Sequence, residues 1–289
     1  MLQKLELKDH YILGAIIGDT LGSPYEWKPV KSRQFNIINS ACRFTDDTVM
    51  TIATMKSLVD ANNDGRYVPA SKEITDNYRL LGRKYIGAGY GGHFRKWLCS
   101  DEYKPYGSFG NGSGMRVSPV GWWANTEDDV IQIATDFSKV SHDHPEGIKG
   151  GVAIALAVFY ARQGLSKRDI ADKIVEVTEY NLQRTLADIE GSGYKFDVSC
   201  QGSVPESTIS FLESRDYMDA ITNAICLKGD TDTMACMAGA IAESYYKQEN
   251  IPLNVREFVW NILPYDLKAI VADFSDIVYK RLNTPDYHE

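Results

Sequence analysis

Apolar residues recur at helical spacing along most of the chain, and alternating strand patterns are scarce. YILGAIIGDTLG, residues 11–22, is apolar and closes on glycine. DDTVMTIATMKSLVDANN predicts a helix over about 46–60. HPEGIKGGVAIALAVFYARQG predicts a long buried helix over 145–162, ended by Gly164. SKRDIADKIVEVTEYNLQ is amphipathic, with Ser166 as N-cap and Ile170, Ile174, Val175 and Val177 on its apolar side. VPESTISFLES, DYMDAITNAICLK, DTDTMACMAGAIAESYYK, VREFVWNIL and FSDIVYKRLN complete the series. The pattern predicts an all-α fold, one compact multi-helix domain over 1–289. Two glycine-rich stretches interrupt it, 83–121 and 191–205. Long loops of that kind inside a helical domain often carry function.

Composition narrows the classes. The chain has 289 residues and a net charge of -8, with a pI near 5.2. Broad nucleic-acid surfaces need clustered Lys and Arg, so none is expected. No apolar run reaches 18 residues, so no membrane span is expected. The N-terminal apolar run follows acidic residues and ends in Gly-Asp, unlike a signal peptide. The five cysteines include no CxxC pair and read as reduced thiols of a cytoplasmic protein.

The chemistry concentrates at two helix starts. FTDDT, 44–48, supplies Thr45, Asp46 and Asp47; GDTDT, 229–233, supplies Asp230, Thr231, Asp232 and Thr233. Either alone is explained by helix capping, since Thr and Asp are good N-caps and acids suit the positive end of the helix dipole. Together they hold more carboxylates than two caps require. If the two starts meet, they need a cation or bound protons. All-oxygen donors suit Mg²⁺, and zinc is disfavoured because neither cluster contains Cys or His. Two other patterns fail on inspection. Asp60, Asn62, Asp64 and Gly65 match an EF-hand opening, but its twelfth position is Ser71 where a bidentate Glu is required. Asp230-x-Asp232 fits a dehalogenase-type nucleophile loop, but its fifth position is Met234 and the α/β alternation of such folds is absent.

The order of these motifs resembles that of the ADP-ribosylglycohydrolases, which include the dinitrogenase-reductase-activating glycohydrolases and the ADP-ribosyl-acceptor hydrolases. GAIIGDTLGSPYEW (14–27), FTDDT, GNGSGMRVSPVG (110–121), SHDHPEG (141–147), VPESTISFL (204–212) and GDTDT are similar to successive family motifs over nearly the whole chain. The resemblance implies an all-α fold and two Mg²⁺ ions. Thr45, Asp46 and Asp47 would hold them from one side and Asp230, Asp232 and Thr233 from the other, with Thr231 a spacer. It implies cleavage of the glycosidic bond between ADP-ribose and an acceptor. ADP-ribosyl-arginine on protein is the first expectation; serine-linked or small-molecule conjugates, or an inactive ADP-ribose binder, are the alternatives. A Mg²⁺-dependent phosphohydrolase is a third class. Both metal sets are complete, which favours activity.

Asp46 and Glu26 are the candidate general bases. In the loop 110–116, Asn111, Gly112, Ser113, Gly114 and Met115 are candidates to cradle the pyrophosphate through backbone N–H groups. Arg116 suits either a phosphate or an internal carboxylate. Phe109 and Tyr106 suit stacking on adenine or simple packing. His142 matches the family histidine near the ribose; with His144 it also makes an HxH spacing that suggests a transition metal, for which no third soft ligand is apparent. Two positions depart from the family pattern: Lys228 before Gly229, and Ala242, Glu243 and Ser244 in place of smaller residues.

Overall fold

Glycine recurs at every fourth position of GAIIGDTLG, so one side of that helix is bare backbone. A Cβ at Gly18 would lie 2.0 Å from the Ala235 carbonyl oxygen, and one at Gly22 would lie 2.4 Å from that of Thr231. Only glycine permits this approach. It seats the first helix directly on the helix that follows GDTDT.

The computed structural model describes residues 5–284. Among them it contains helices α1 (Gly14–Gly22), α2 (Asp46–Asn63), α3 (Ser71–Lys84), α4 (Gly92–Cys99), α5 (Ser118–Trp123), α6 (Glu127–Lys139) and α7 (Pro145–Arg162). These are followed by α8 (Lys167–Thr178), α9 (Leu186–Gly191), α10 (Cys200–Leu212), α11 (Tyr217–Cys226), α12 (Thr231–Tyr246), α13 (Leu253–Ile262) and α14 (Tyr265–Asn283). No strand occurs among the described residues; one isolated bridge pairs Gly110 with Ser199. The fold class is all-α, as the periodicity predicts. No helix among the described residues is long and apolar enough to cross a membrane.

α12 is the axis of the molecule. It is buried from Thr231 to Ser244 and packs on α1, α7, α10 and α11. α7 matches its predicted span. Ser166 caps α8 by accepting from the Asp169 N–H. The stretch 60–65 is the last turn of α2 and its C-terminal cap rather than a calcium loop: Asp60 pairs with Lys56 and accepts from Asn77, and Gly65 turns the chain at φ 72°. Within 83–121, expected to be loop, the chain forms α4 and α5. α4 buries Phe94, Trp97 and Leu98 on one face, at i, i+3 and i+4.

Glu243 has a structural task. Its Oε1 accepts from the Leu13 N–H at 2.8 Å, at the start of α1 where backbone donors lack helical partners. Burial pushes this carboxyl up to about 7. Glu243→Ala should therefore destabilise the fold by about 2–4 kcal/mol, since each buried unpaired donor costs about 1–3 kcal/mol. Glu243→Gln, which keeps an acceptor, should lose about 1 kcal/mol. Urea midpoints check this, and a loss below about 1 kcal/mol for the alanine variant would remove the capping role.

Candidate functional site

The α1–α12 contact brings the two helix starts together. Thr45 is the N-cap of α2, and its hydroxyl accepts from the Asp47 N–H. Capping therefore explains Thr45, but it does not explain the second cluster. Asp230 occupies the N-cap position of α12 and makes no side-chain cap bond. Instead its Oδ2 accepts from Asn111 Nδ2 at 2.8 Å. Thr233 Oγ1 donates to Asp47 Oδ2 at 3.3 Å and so ties α12 to α2.

Asp19 is a central group of the site that the motif reading left out. It is fully buried on α1. Thr45 donates to it from its N–H at 2.8 Å and from its hydroxyl at 2.6 Å. Thr48 donates from both its N–H and its hydroxyl. Four donors occupy most of the acceptor capacity of one carboxylate. Asp19 thus orients the Thr45–Thr48 turn. A carboxylate inside an otherwise apolar helix, one residue from a packed glycine, was the signal available in the sequence.

Carboxylate oxygens of Asp19, Asp47 and Asp232 lie within 4.8 Å of one another, as do those of Glu26, Asp230 and Asp232. The two sets share Asp232. Asp47 Oδ1 is buried without any hydrogen-bond partner. The electrostatics follow from this crowding. Burial, then the Asp19 charge, pushes Asp46 up to about 8. Asp47 and Asp232 are held well above the usual carboxylate range by burial, and next by Asp19 and Asp47 respectively. Asp230 and Asp19 are raised by burial against the pull of their hydrogen bonds. Glu26, half-buried, is raised by burial and by Asp230. An orphaned buried oxygen among mutually repelling carboxylates fits a hard cation with oxygen ligands.

These acids form one end of a cleft of about 930 Å³. Its walls include Gly110, Asn111, Gly112, Met115, Phe109, Tyr106 and His142. Gly110 and Asn111 are held by the chain at 198–200: Asn111 N–H donates to the Val198 carbonyl at 2.8 Å, and Cys200 N–H donates to that of Phe109 at 2.9 Å. A Cβ on Gly112 would stand 3.0 Å from His142 Nε2. Phe109 is half exposed, with its ring 5.3 Å from that of His144.

The remaining predicted residues take other positions. Ser113 is buried and donates to the Gly147 carbonyl at 2.6 Å. Gly114 packs against Met237 and Val204. Arg116 reaches the cleft wall but is fully buried, and neither a phosphate nor a carboxylate partner explains it. Its Nη2 donates to the Phe137 carbonyl at 3.0 Å and to Ser141 Oγ at 2.9 Å, and its guanidinium lies 4.4 Å from the Tyr78 ring centre. His142 is buried beside it; burial and then the Arg116 charge hold the imidazole neutral. Its Nδ1 bonds with Ser141 Oγ at 2.8 Å. His144 Nδ1 accepts from the Glu146 N–H as the cap of α7, so the HxH spacing makes no metal pair here. Thr231 Oγ1 donates to the Gly22 carbonyl at 3.0 Å, which suits a spacer. Lys228 is exposed at φ 61°.

Comparison with known proteins decides the family. The family model for ADP-ribosylglycohydrolase matches residues 10–283. The chain belongs to the ADP-ribosylglycohydrolase family. Among curated relatives, the ADP-ribosylhydrolase ARH3 of Xenopus tropicalis is 26% identical, over 84% of this chain and 88% of its own. The human ADP-ribosylhydrolase ARH3 is also 26% identical, over 83% and 85%. The ADP-ribosylarginine hydrolase Tri1 of Pseudomonas putida strain GB-1 is 24% identical, over 90% and 76%. A solved structure described as an ADP-ribosylglycohydrolase-related protein complex superposes with a TM-score of 0.69. It is 19% identical, covers 92% of this chain and 96% of its own, and shares the fold.

Proposed function

We propose that this protein is a Mg²⁺-dependent hydrolase of ADP-ribosylarginine on protein, releasing ADP-ribose. The observation that carries the reading is the pair of carboxylate triplets sharing Asp232 at the end of a cleft walled by a glycine-rich loop. The name of the Pseudomonas putida relative supports the arginine linkage. Two ions would be held by Thr45, Asp46, Asp47, Asp230, Asp232 and Thr233. When bound, they would supply Lewis-acid polarisation of a water and of the ribose hydroxyls.

The protein's own groups do the rest. Asn111 fixes the Asp230 carboxylate, and Asp19 fixes the turn that carries Asp46 and Asp47. Glu26 is half-buried at the cleft edge, with an oxygen within 4.8 Å of oxygens of Asp230 and Asp232, so as a carboxylate there it can take a proton from water and return it to the leaving group. Asp46 is the second base of this reading. The surrounding carboxylates favour the positive charge that develops at the anomeric carbon. Backbone at Gly110, Asn111 and Gly112 borders the cleft where the pyrophosphate would lie, and Phe109 and Tyr106 offer faces to the adenine.

The direct test is product analysis on an ADP-ribosylarginine substrate with Mg²⁺ or with EDTA. Free ADP-ribose and unmodified arginine should form only with Mg²⁺. Release of AMP or phosphate would move the reading to a phosphohydrolase, and no release would move it to another linkage or to a binder.

A further inference from the structure

Two large rings stand at the rim of the cleft, outside the metal cluster. Trp27 is 72% exposed and Phe196 is 42% exposed, yet both line the cleft. They come from distant parts of the chain, and their ring centres lie 5.3 Å apart at an interplanar angle of 30°. Each ring has an acid as its chain neighbour, Glu26 beside Trp27 and Asp197 beside Phe196, and both acids also line the cleft. Side by side at the mouth of a cleft, the two rings offer flat faces to whatever enters it.

The rings stand at the acidic end of the cleft. A Glu26 oxygen lies within 4.8 Å of oxygens of Asp230 and Asp232. Asp197 Oδ1 accepts from the Ser199 N–H at 2.8 Å, which fixes that carboxylate at the start of α10. The exposed guanidinium of Arg43 also lines the cleft and acts on Glu26, whereas exposed Lys28 and Lys195, the other chain neighbours of the two rings, do not line it. π-Faces flanked by carboxylates are the usual environment for a planar cation.

We propose that Trp27 and Phe196, with Glu26 and Asp197, form the acceptor subsite and select a guanidinium acceptor. The inference rests on the ADP-ribosylarginine reading above and adds the residues that would read the arginine. Trp27→Leu keeps apolar bulk and removes the π-face, and Trp27→Phe keeps a face. With an ADP-ribosylarginine peptide, Trp27→Leu should lower kcat/KM roughly tenfold and Trp27→Phe by less than about threefold. The dissociation constant of free ADP-ribose, measured by calorimetry, should change by less than about twofold in both variants, since the product lacks the acceptor. Phe196→Leu should behave as Trp27→Leu does.

The subsite is overturned if wild type cleaves the peptide and Trp27→Leu cleaves it equally well. It is also overturned if Trp27→Leu weakens ADP-ribose binding as much as it lowers turnover, because the ring then serves the nucleotide. A wild type that leaves ADP-ribosylarginine intact overturns both the linkage and this subsite, and is recognised before any variant is made.

Discussion

Replacing Asp232 by alanine is expected to lower kcat about 10³-fold or more while leaving the metal-free protein folded. Asp232 is common to both carboxylate triplets, so its loss damages both ends of the cluster. Lewis-acid polarisation contributes several kcal/mol to a hydrolytic transition state, and each 1.36 kcal/mol is about a decade in rate. The stability side has the opposite sign. Asp232 is buried among Asp47, Asp230, Asp19 and Glu26, and their charges raise its pKa. Removing it relieves repulsion when no cation is present. The metal-free variant should therefore melt at or above the wild-type temperature at pH 8, and added Mg²⁺ should raise its melting temperature by less than half of the wild-type shift. Paired kinetics and thermal melts check both halves. A variant that retains activity within about tenfold would remove Asp232 from the ligand set. One that melts far below wild type without metal would make it a structural residue instead.

Much of this molecule was legible from pattern. Helical periodicity gave the class, the extent of α7 and the starts of α2 and α8, because buried helices leave long runs of the same period; α2 runs past the expected end at 60, to Asn63. α3 and α6 escaped the reading although both carry start signals. Glu73 accepts from the Ala70 N–H, and Thr126 with Asp129 forms a reciprocal cap. α4 was obscured by the glycines before it; its burial against α3 comes from tertiary packing, which local spacing does not encode. At the site, oxygen-rich motifs marked where the ligands are. They did not mark what holds them. Asp19 reads as an oddity in an apolar helix until α1 docks beside α2 and its four donors appear. Arg116 reads as a partner for a phosphate or an internal carboxylate, because its planar fork fits both. Its actual surroundings are carbonyls at the end of α6, the serine that follows at 141, and the Tyr78 ring from α3. The role of Glu243 was equally hidden, since its partner at Leu13 lies at the other end of the chain.

The stability of the metal-free protein should fall as pH rises from about 4 to about 8, and Mg²⁺ should reverse that fall. The cause is linkage. Asp19, Asp46, Asp47, Asp230 and Asp232 all have folded-state pKa values above the ordinary 3.8, with Asp46 at about 8, and Glu243 stands at about 7 against 4.5. Through this window the folded state binds more protons than the unfolded state, so stability decreases as pH increases. The contribution is fully present below the unfolded values and is lost as pH climbs through the folded ones. A divalent ion acts in the other direction, because its ligands must be deprotonated and its affinity grows as they lose protons. At about 100-fold excess over its dissociation constant, a ligand stabilises the folded state by about 2.7 kcal/mol. For a chain of this size that is roughly 4–5 °C in melting temperature. The shift should approach that value at pH 8 and become small at pH 5.5, where the cluster already carries protons. Melts at the two pH values, with Mg²⁺ or EDTA, make the comparison. Equal Mg²⁺ shifts at both would mean that the ion binds outside the carboxylate cluster. A metal-free protein more stable at pH 8 than at pH 6 would mean that the cluster is ionised and paired in a way these distances do not provide. Protons and Mg²⁺ therefore compete for the same buried oxygens, and the loss of activity on acidification should follow the loss of the Mg²⁺ shift.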